Sequence, residues 1–160
     1  MSLLNKLDKI DRRILEILQA NGKITNAQLA IDIGLSPAPT LERVKKMERN
    51  GVISSYHAKL DLQKIGIGVS TFVLATLKSH NKIHLEAFIK AINGIEEIVE
   101  CHHITGAGDF ILKIVCKDIQ AYQQLMIEKV SDIDGVDNLQ SMISMATYKD
   151  SKIMPIPTES

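Results

Sequence analysis

The four residues Gly34-Leu35-Ser36-Pro37 constrain this chain more than any other stretch. A glycine that ends one helix in the left-handed conformation, followed at once by a Ser-Pro pair suited to start another, leaves room only for a tight turn between helices. Upstream, Thr25 is placed to cap the first helix and Gln28 to complete a capping box, with Ile24 and Leu29 as a hydrophobic staple. Downstream, Leu41, Val44 and Met47 form an inward stripe at helical spacing, and Gly51 stops the helix. Pro37 fills the first helical position, and Pro39 still lies in the first turn, where proline is tolerated. Residues 24–56 therefore read as two short helices followed by a turn into a strand.

Such a pair of helices suits the DNA major groove, which admits one helix. Small residues at the head of the second helix let its end approach bases and phosphates, while cations further along hold the backbone. The candidate DNA contacts are Thr25, Ser36, Pro37, Ala38, Thr40, Arg43, Lys46 and Arg49. Taken alone, the stretch also fits, less well, an ordinary helical hairpin with a solvated basic face. Charge distribution favours the first reading. The whole chain has net charge zero, yet residues 1–60 carry ten basic and six acidic side chains, a surplus of four that the remainder cancels.

Residues 8–20 form an amphipathic helix, capped by Asp8, with Ile10, Ile14, Ile17 and Leu18 facing inward. Val52 to Leu60 alternate loosely, which predicts a two-stranded wing. Ser54, Ser55 and His57 there suit either the sugar–phosphate backbone or a plain turn. Residues 1–61 thus form a winged helix-turn-helix domain, and residues 62–68, with Gly66 and Gly68, a hinge.

Residues 69–150 read as strand, helix, strand, strand, helix, strand. The strands lie near 69–78, 97–104, 109–117 and 138–148, and the helices near 82–93 and 118–131, leaving 151–160 as a C-terminal tail. This βαββαβ order is the ferredoxin-like arrangement, so the fold class is α+β with two domains. Two helices cover one face of such a sheet, and the other should be polar. In the first strand both alternating sets are apolar or small. A sheet apolar on both faces needs a second cover, and a homodimeric partner supplies one.

Between the second and third of these strands lies Thr105-Gly106-Ala107-Gly108-Asp109-Phe110. Its backbone N–H groups suit a carboxylate and Asp109 an ammonium, the two ends of a free amino acid; a hairpin turn that needs glycine is the alternative. Adjacent His102 and His103 point to opposite faces of a strand and cannot chelate one metal. Cys101 and Cys116 match no zinc pattern and read as reduced, buried core residues. No catalytic signature, metal site or cofactor motif is present, so no enzyme is expected. The N-terminus lacks a signal peptide's apolar core, and no run of about 18 apolar residues could span a membrane, so a cytoplasmic protein without membrane association is expected.

The ordered set of motifs resembles the Lrp/AsnC, or feast/famine, family of transcriptional regulators over roughly residues 7–148. It comprises Leu7-Asp8-x-x-Asp11-x-x-Ile14-Leu15, Leu29-Ala30, Gly34-Leu35-Ser36-Pro37, Arg43-Val44-Lys45-Lys46-Met47-Glu48 and Gly51-Val52-Ile53. It continues with Glu100-Cys101-His102, Thr105-Gly106-x-x-Asp109-Phe110, Ala121-Tyr122 and Gly135-Val136. The resemblance implies double-stranded DNA as partner and a C-terminal RAM-type domain that dimerises, with dimers assembling into octamers or discs. It also implies an amino-acid effector between dimers near the glycine loop. Gly106, Gly108 and Asp109 become effector-site candidates, with His103 and Thr105 beside them. Pro39 departs from the family pattern and removes a backbone donor at the head of the second helix. Two other readings stand beside this one: a ligand-independent nucleoid-organising protein, and an amino-acid-binding module whose helix pair contacts protein.

Overall fold

The computed structural model describes residues 7–79 and 81–157. Its contacts divide the chain into two units. One holds the described residues up to Lys59 together with those from Lys149 onward; the other spans Leu60–Tyr148.

The first unit contains α1 (Lys9–Ala20), α2 (Asn26–Ile33) and α3 (Pro37–Arg49). Asp8 caps α1 as expected, and Asp11 completes a reciprocal capping box that the sequence reading had not placed there. At α2 the expected box is only half formed. The Thr25 hydroxyl accepts from the Gln28 N–H at 3.2 Å, but the Gln28 amide turns along the helix to Asp32 at 2.8 Å. Gly34 takes the left-handed conformation (φ 71°) and closes α2. Ile14, Leu29 and Met47 are fully buried, ringed by Ile10, Leu18, Ile24 and Val44. On α3 the inward stripe is Thr40, Val44 and Met47, and Leu41 lies outside it at 40% exposure. Thr40 can be buried because its hydroxyl donates to the Ser36 carbonyl at 2.9 Å.

The expected wing is not paired: residues 52–60 form no strand. The Val52 and Ile53 N–H groups instead donate to the Met47 carbonyl, and both side chains pack on the three-helix core. Tyr56 donates its hydroxyl to Glu48 at 3.0 Å, which pins the segment to α3. Loss of water around the Tyr56 ring and the Glu48 charge push its pKa up to about 12.

The second unit contains β1 (Val69–Leu77), α4 (Lys82–Asn93), β2 (Ile98–His103), β3 (Phe110–Cys116), α5 (Ile119–Leu125) and β4 (Val136–Ile143). A π-helical turn, Met126–Val130, continues α5, so the single helix expected over 118–131 changes its winding midway. The sheet order is β2-β3-β1-β4 and every pairing is antiparallel. Val73, Ala75, Leu77, Phe110, Leu112 and Ile114 point inward onto Phe88, Ile92, Tyr122, Leu125 and Val130. β4 starts two residues earlier than expected and ends at Ile143, short of 148, after a register shift at Thr76/Leu77.

The opposite face carries an apolar centre, Phe72, Leu74, Ile111 and Met142, bordered by the polar Lys113, Glu100, Asn138 and Gln140. Phe72 sits between Lys113 and Met142, and Leu74 between Ile111 and Gln140. Phe72 and Met142 remain exposed, and Lys113 binds Glu100 at 3.0 Å beside them. Cys116 is buried, but Cys101 is exposed, contrary to expectation, because β2 is an edge strand of the sheet. The segment expected as a loose hinge is a hydrogen-bonded turn: Ile67 N–H donates to Leu62 and Gly66 N–H to Gln63. Gly66 supplies a positive φ of 82°. Gly68 serves a close approach rather than looseness: a β-carbon there would lie 2.7 Å from the Lys117 carbonyl.

Candidate functional site

Helix α3 offers Ser36, Pro37, Ala38, Pro39, Lys45, Lys46 and Arg49 to solvent. Ser36 has the extended backbone of an N-cap, but its side chain makes no capping bond. The two prolines remove two of the first N–H groups, and the Thr40 N–H is directed at the Ser36 carbonyl at 3.4 Å. The donors this helix end still offers are therefore chiefly the Ala38 N–H and the Ser36 hydroxyl. Asn26, which the sequence reading missed, fixes the junction by donating its amide to the Pro37 carbonyl at 2.8 Å. Thr25 is exposed and occupied in capping α2.

Two of the eight candidate contacts are placed differently from expectation. Thr40 is fully buried and packs the helix, so it does not face a base edge. Arg43 directs Nη1 at both Asp8 and Asp11, each at 2.7 Å, and so ties the middle of α3 to the start of α1. Asp11 is almost wholly buried, which makes Arg43 its local counter-charge. The Asp11 backbone N–H first, and then the Arg43 guanidinium, hold the Asp8 carboxyl below its ordinary value of 3.8. A lowered folded value means stability that is present above the unfolded value and lost as pH falls through the folded one. Thermal unfolding followed across acid pH will show this loss below about pH 4, and Asp8→Asn will flatten it in that window.

In the second unit the glycine loop joins β2 to β3. Gly106 has φ 124°, open to glycine without strain. Gly108 is buried, and a β-carbon there would lie 2.6 Å from Leu74. Gly108→Ala is expected to cost about 1–3 kcal/mol through this overlap, read as a lowered unfolding midpoint. Asp109 does not project its carboxylate outward as a ready partner for an ammonium. Its Oδ2 accepts from the Leu77 N–H at 2.8 Å, and its own N–H donates to the Ala75 carbonyl, clamping the loop to the end of β1. His103 stacks on Phe110 with centroids 4.9 Å apart. The structure thus gathers His103, Thr105 and Gly106 as exposed residues at one end of the sheet, with Gly108 and Asp109 holding the loop from beneath. A cleft lined by Glu97, Cys116 and Ala121 lies at the other end of β3 and touches none of them.

Comparison with known proteins matches these parts one by one. Residues 7–54 match the family described as winged helix-turn-helix DNA-binding, and residues 70–154 match the Lrp/AsnC ligand binding domain. The leucine-responsive regulatory protein of Escherichia coli is 38% identical over 152 residues, covering 95% of this chain and 93% of that one. Its counterpart in Klebsiella pneumoniae shows the same identity and coverage. Among solved structures, a transcriptional regulator from Neisseria meningitidis in complex with L-methionine superposes with a TM-score of 0.90 at 29% identity, covering 94% of this chain and 97% of that one. An AsnC family regulator from Agrobacterium tumefaciens gives 0.88 at 33%, covering 93% and 97%.

Proposed function

Because this chain belongs to the Lrp/AsnC family and is a DNA-binding transcriptional regulator with a ligand-binding domain, we propose that it reads specific double-stranded sites as a homodimer and responds to a free amino acid. Ser36, Pro37, Ala38, Lys46 and Arg49 meet the DNA, with Thr25 at the edge of the same surface. Thr40 and Arg43 hold the reading helix in place. The dimer forms through the outer sheet face, and dimers assemble further into an octamer. The effector is held at the His103–Asp109 end of the sheet, closed by a second copy, in a cytoplasmic protein without cofactor or metal.

The observation that carries this reading is the apolar outer face around Phe72 in a chain whose other unit presents an exposed basic helix. A two-fold pair supplies two reading heads to a roughly palindromic site. The relatives' names point to leucine and methionine as the first amino acids to try.

Calorimetry with a panel of free amino acids, alone and with operator DNA, tests it. Heat from at least one amino acid, and a changed DNA affinity in its presence, are the expected results. Asp109→Ala removes the acceptor for the Leu77 N–H and loosens the loop that carries His103, Thr105 and Gly106, so it will reduce that heat, whereas Asp109→Asn keeps the acceptor, the loop and the heat. DNA binding that is steeply salt-dependent but silent to every amino acid would replace this reading with the nucleoid-organising one.

A further inference from the structure

The described residues beyond Tyr148 belong to the DNA-binding unit, although the chain reaches them only after completing the sheet. The chain therefore crosses between its two units twice, once near Lys59 and once near Tyr148. The contacts that hold the returning segment are directed mainly at its main chain. Gln19 accepts from the Met154 N–H at 2.6 Å and donates to the Met154 carbonyl at 3.1 Å. Arg12 donates to the Pro157 carbonyl. Lys59 donates to the Asp150 carbonyl at 2.7 Å and pairs with its carboxylate at 3.1 Å.

The geometry of helix and segment match. Arg12 and Gln19 are two turns apart on one face of α1, a rise of about 10 Å. Met154 to Pro157 spans three residues, which in the polyproline conformation covers about 9 Å. The segment runs antiparallel to α1, with Met154 at Gln19 and Pro157 at Arg12. Pro155 and Pro157 have no N–H to leave unpaired, and their fixed φ lowers the entropy lost on docking. Ile156 between them is half-buried, unlike its exposed neighbours Ile153 and Met154.

We propose that this face of α1 is a docking surface for an extended, proline-containing peptide, and that its occupant is the chain's own segment 149–157. The docked segment is a strap: it secures the DNA-binding unit to the rest of the protein by a link independent of residues 60–68.

The test is made on the full chain and needs neither DNA nor effector. A site for a specific protease is inserted between Gln63 and Lys64, the protein is cleaved, and the fragments are passed over a size-exclusion column. The N-terminal fragment is expected to stay with the remainder. It should be released, with at least a tenfold fall in the retained fraction, when Gln19 and Arg12 are both replaced by alanine or when the chain ends at Tyr148. Should the shortened chain lose its helical signal, the Gln19→Ala, Arg12→Ala protein carries the test, since both side chains lie on the helix surface. Release from the otherwise unchanged cleaved protein would overturn the proposal, as would retention in the double variant.

Discussion

Replacing Arg43 with alanine is expected to destabilise the DNA-binding unit by about 2 kcal/mol and to leave the salt dependence of DNA binding unchanged. The size follows from what the guanidinium faces. Asp11 is nearly buried, with 8% of its side chain exposed, and Arg43 is the cation in contact with it. Breaking a buried pair by removing one partner costs about 3–5 kcal/mol. Arg43 and Asp8 remain partly solvated, at 31% and 51%, so the cost here falls below that range. Lys46→Ala should do the opposite. Lys46 is exposed on α3, so its loss will move stability by less than about 0.5 kcal/mol. If Lys46 neutralises a phosphate, the slope of log affinity against log salt will flatten by about one. Chemical denaturation and a salt titration of both variants decide the matter. An unmoved unfolding midpoint for Arg43→Ala, or a flattened slope for it, would return Arg43 to the DNA-contacting set.

The contrast between these two cations shows what was legible in the sequence. Features set by a few consecutive residues were readable: the Gly34 turn, the Ser36-Pro37 start, the limits of α4 at 82 and 93, and the two apolar faces of β1. Features set by a partner far along the chain were not. Arg43 looked like a DNA contact because its acids lie 35 and 32 residues away. Asp109 looked like a ligand group because a carboxylate beside glycines suggests one. The N–H it satisfies belongs to Leu77 at the end of β1, the strand that pairs with β3, which begins one residue after Asp109. Thr40 and Leu41 exchanged roles because hydropathy ranks leucine inside, whereas a hydroxyl bonded to the preceding turn is buried without penalty. The tail's place on α1 had no local signal at all beyond two prolines.

If the outer sheet face is the proposed subunit contact, Phe72→Asp is expected to give a protein that folds, sediments as a monomer while the unaltered chain sediments as an assembly of dimers, and binds operator DNA at least about a hundredfold more weakly, a change of about 2.8 kcal/mol. Folding survives because Phe72 lies on the outer face, while the core of the unit is built from the alternate residues Val73, Ala75 and Leu77. In the monomer the new carboxylate meets water and sits opposite Lys113, which carries a compensating charge. In a sheet-to-sheet pair the same carboxylate would enter the centre of an apolar contact beside Leu74, Ile111 and Met142, together with its two-fold copy. Lys113 is already paired with Glu100 at 3.0 Å, so the added carboxylate and its two-fold copy would leave the contact with more acids than it has cations, and taking that surplus charge out of water costs several kcal/mol, enough to dissolve the pair. DNA affinity then falls because each head binds its half-site alone, without the high effective concentration that a linked second head provides. Ile119→Asp is the control, since Ile119 is comparably exposed but lies on α5, away from the outer face. It should change neither sedimentation nor DNA binding. A Phe72→Asp protein that still sediments as a dimer would move the subunit contact off this face, and the apolar surface around Phe72 would then need a different cover.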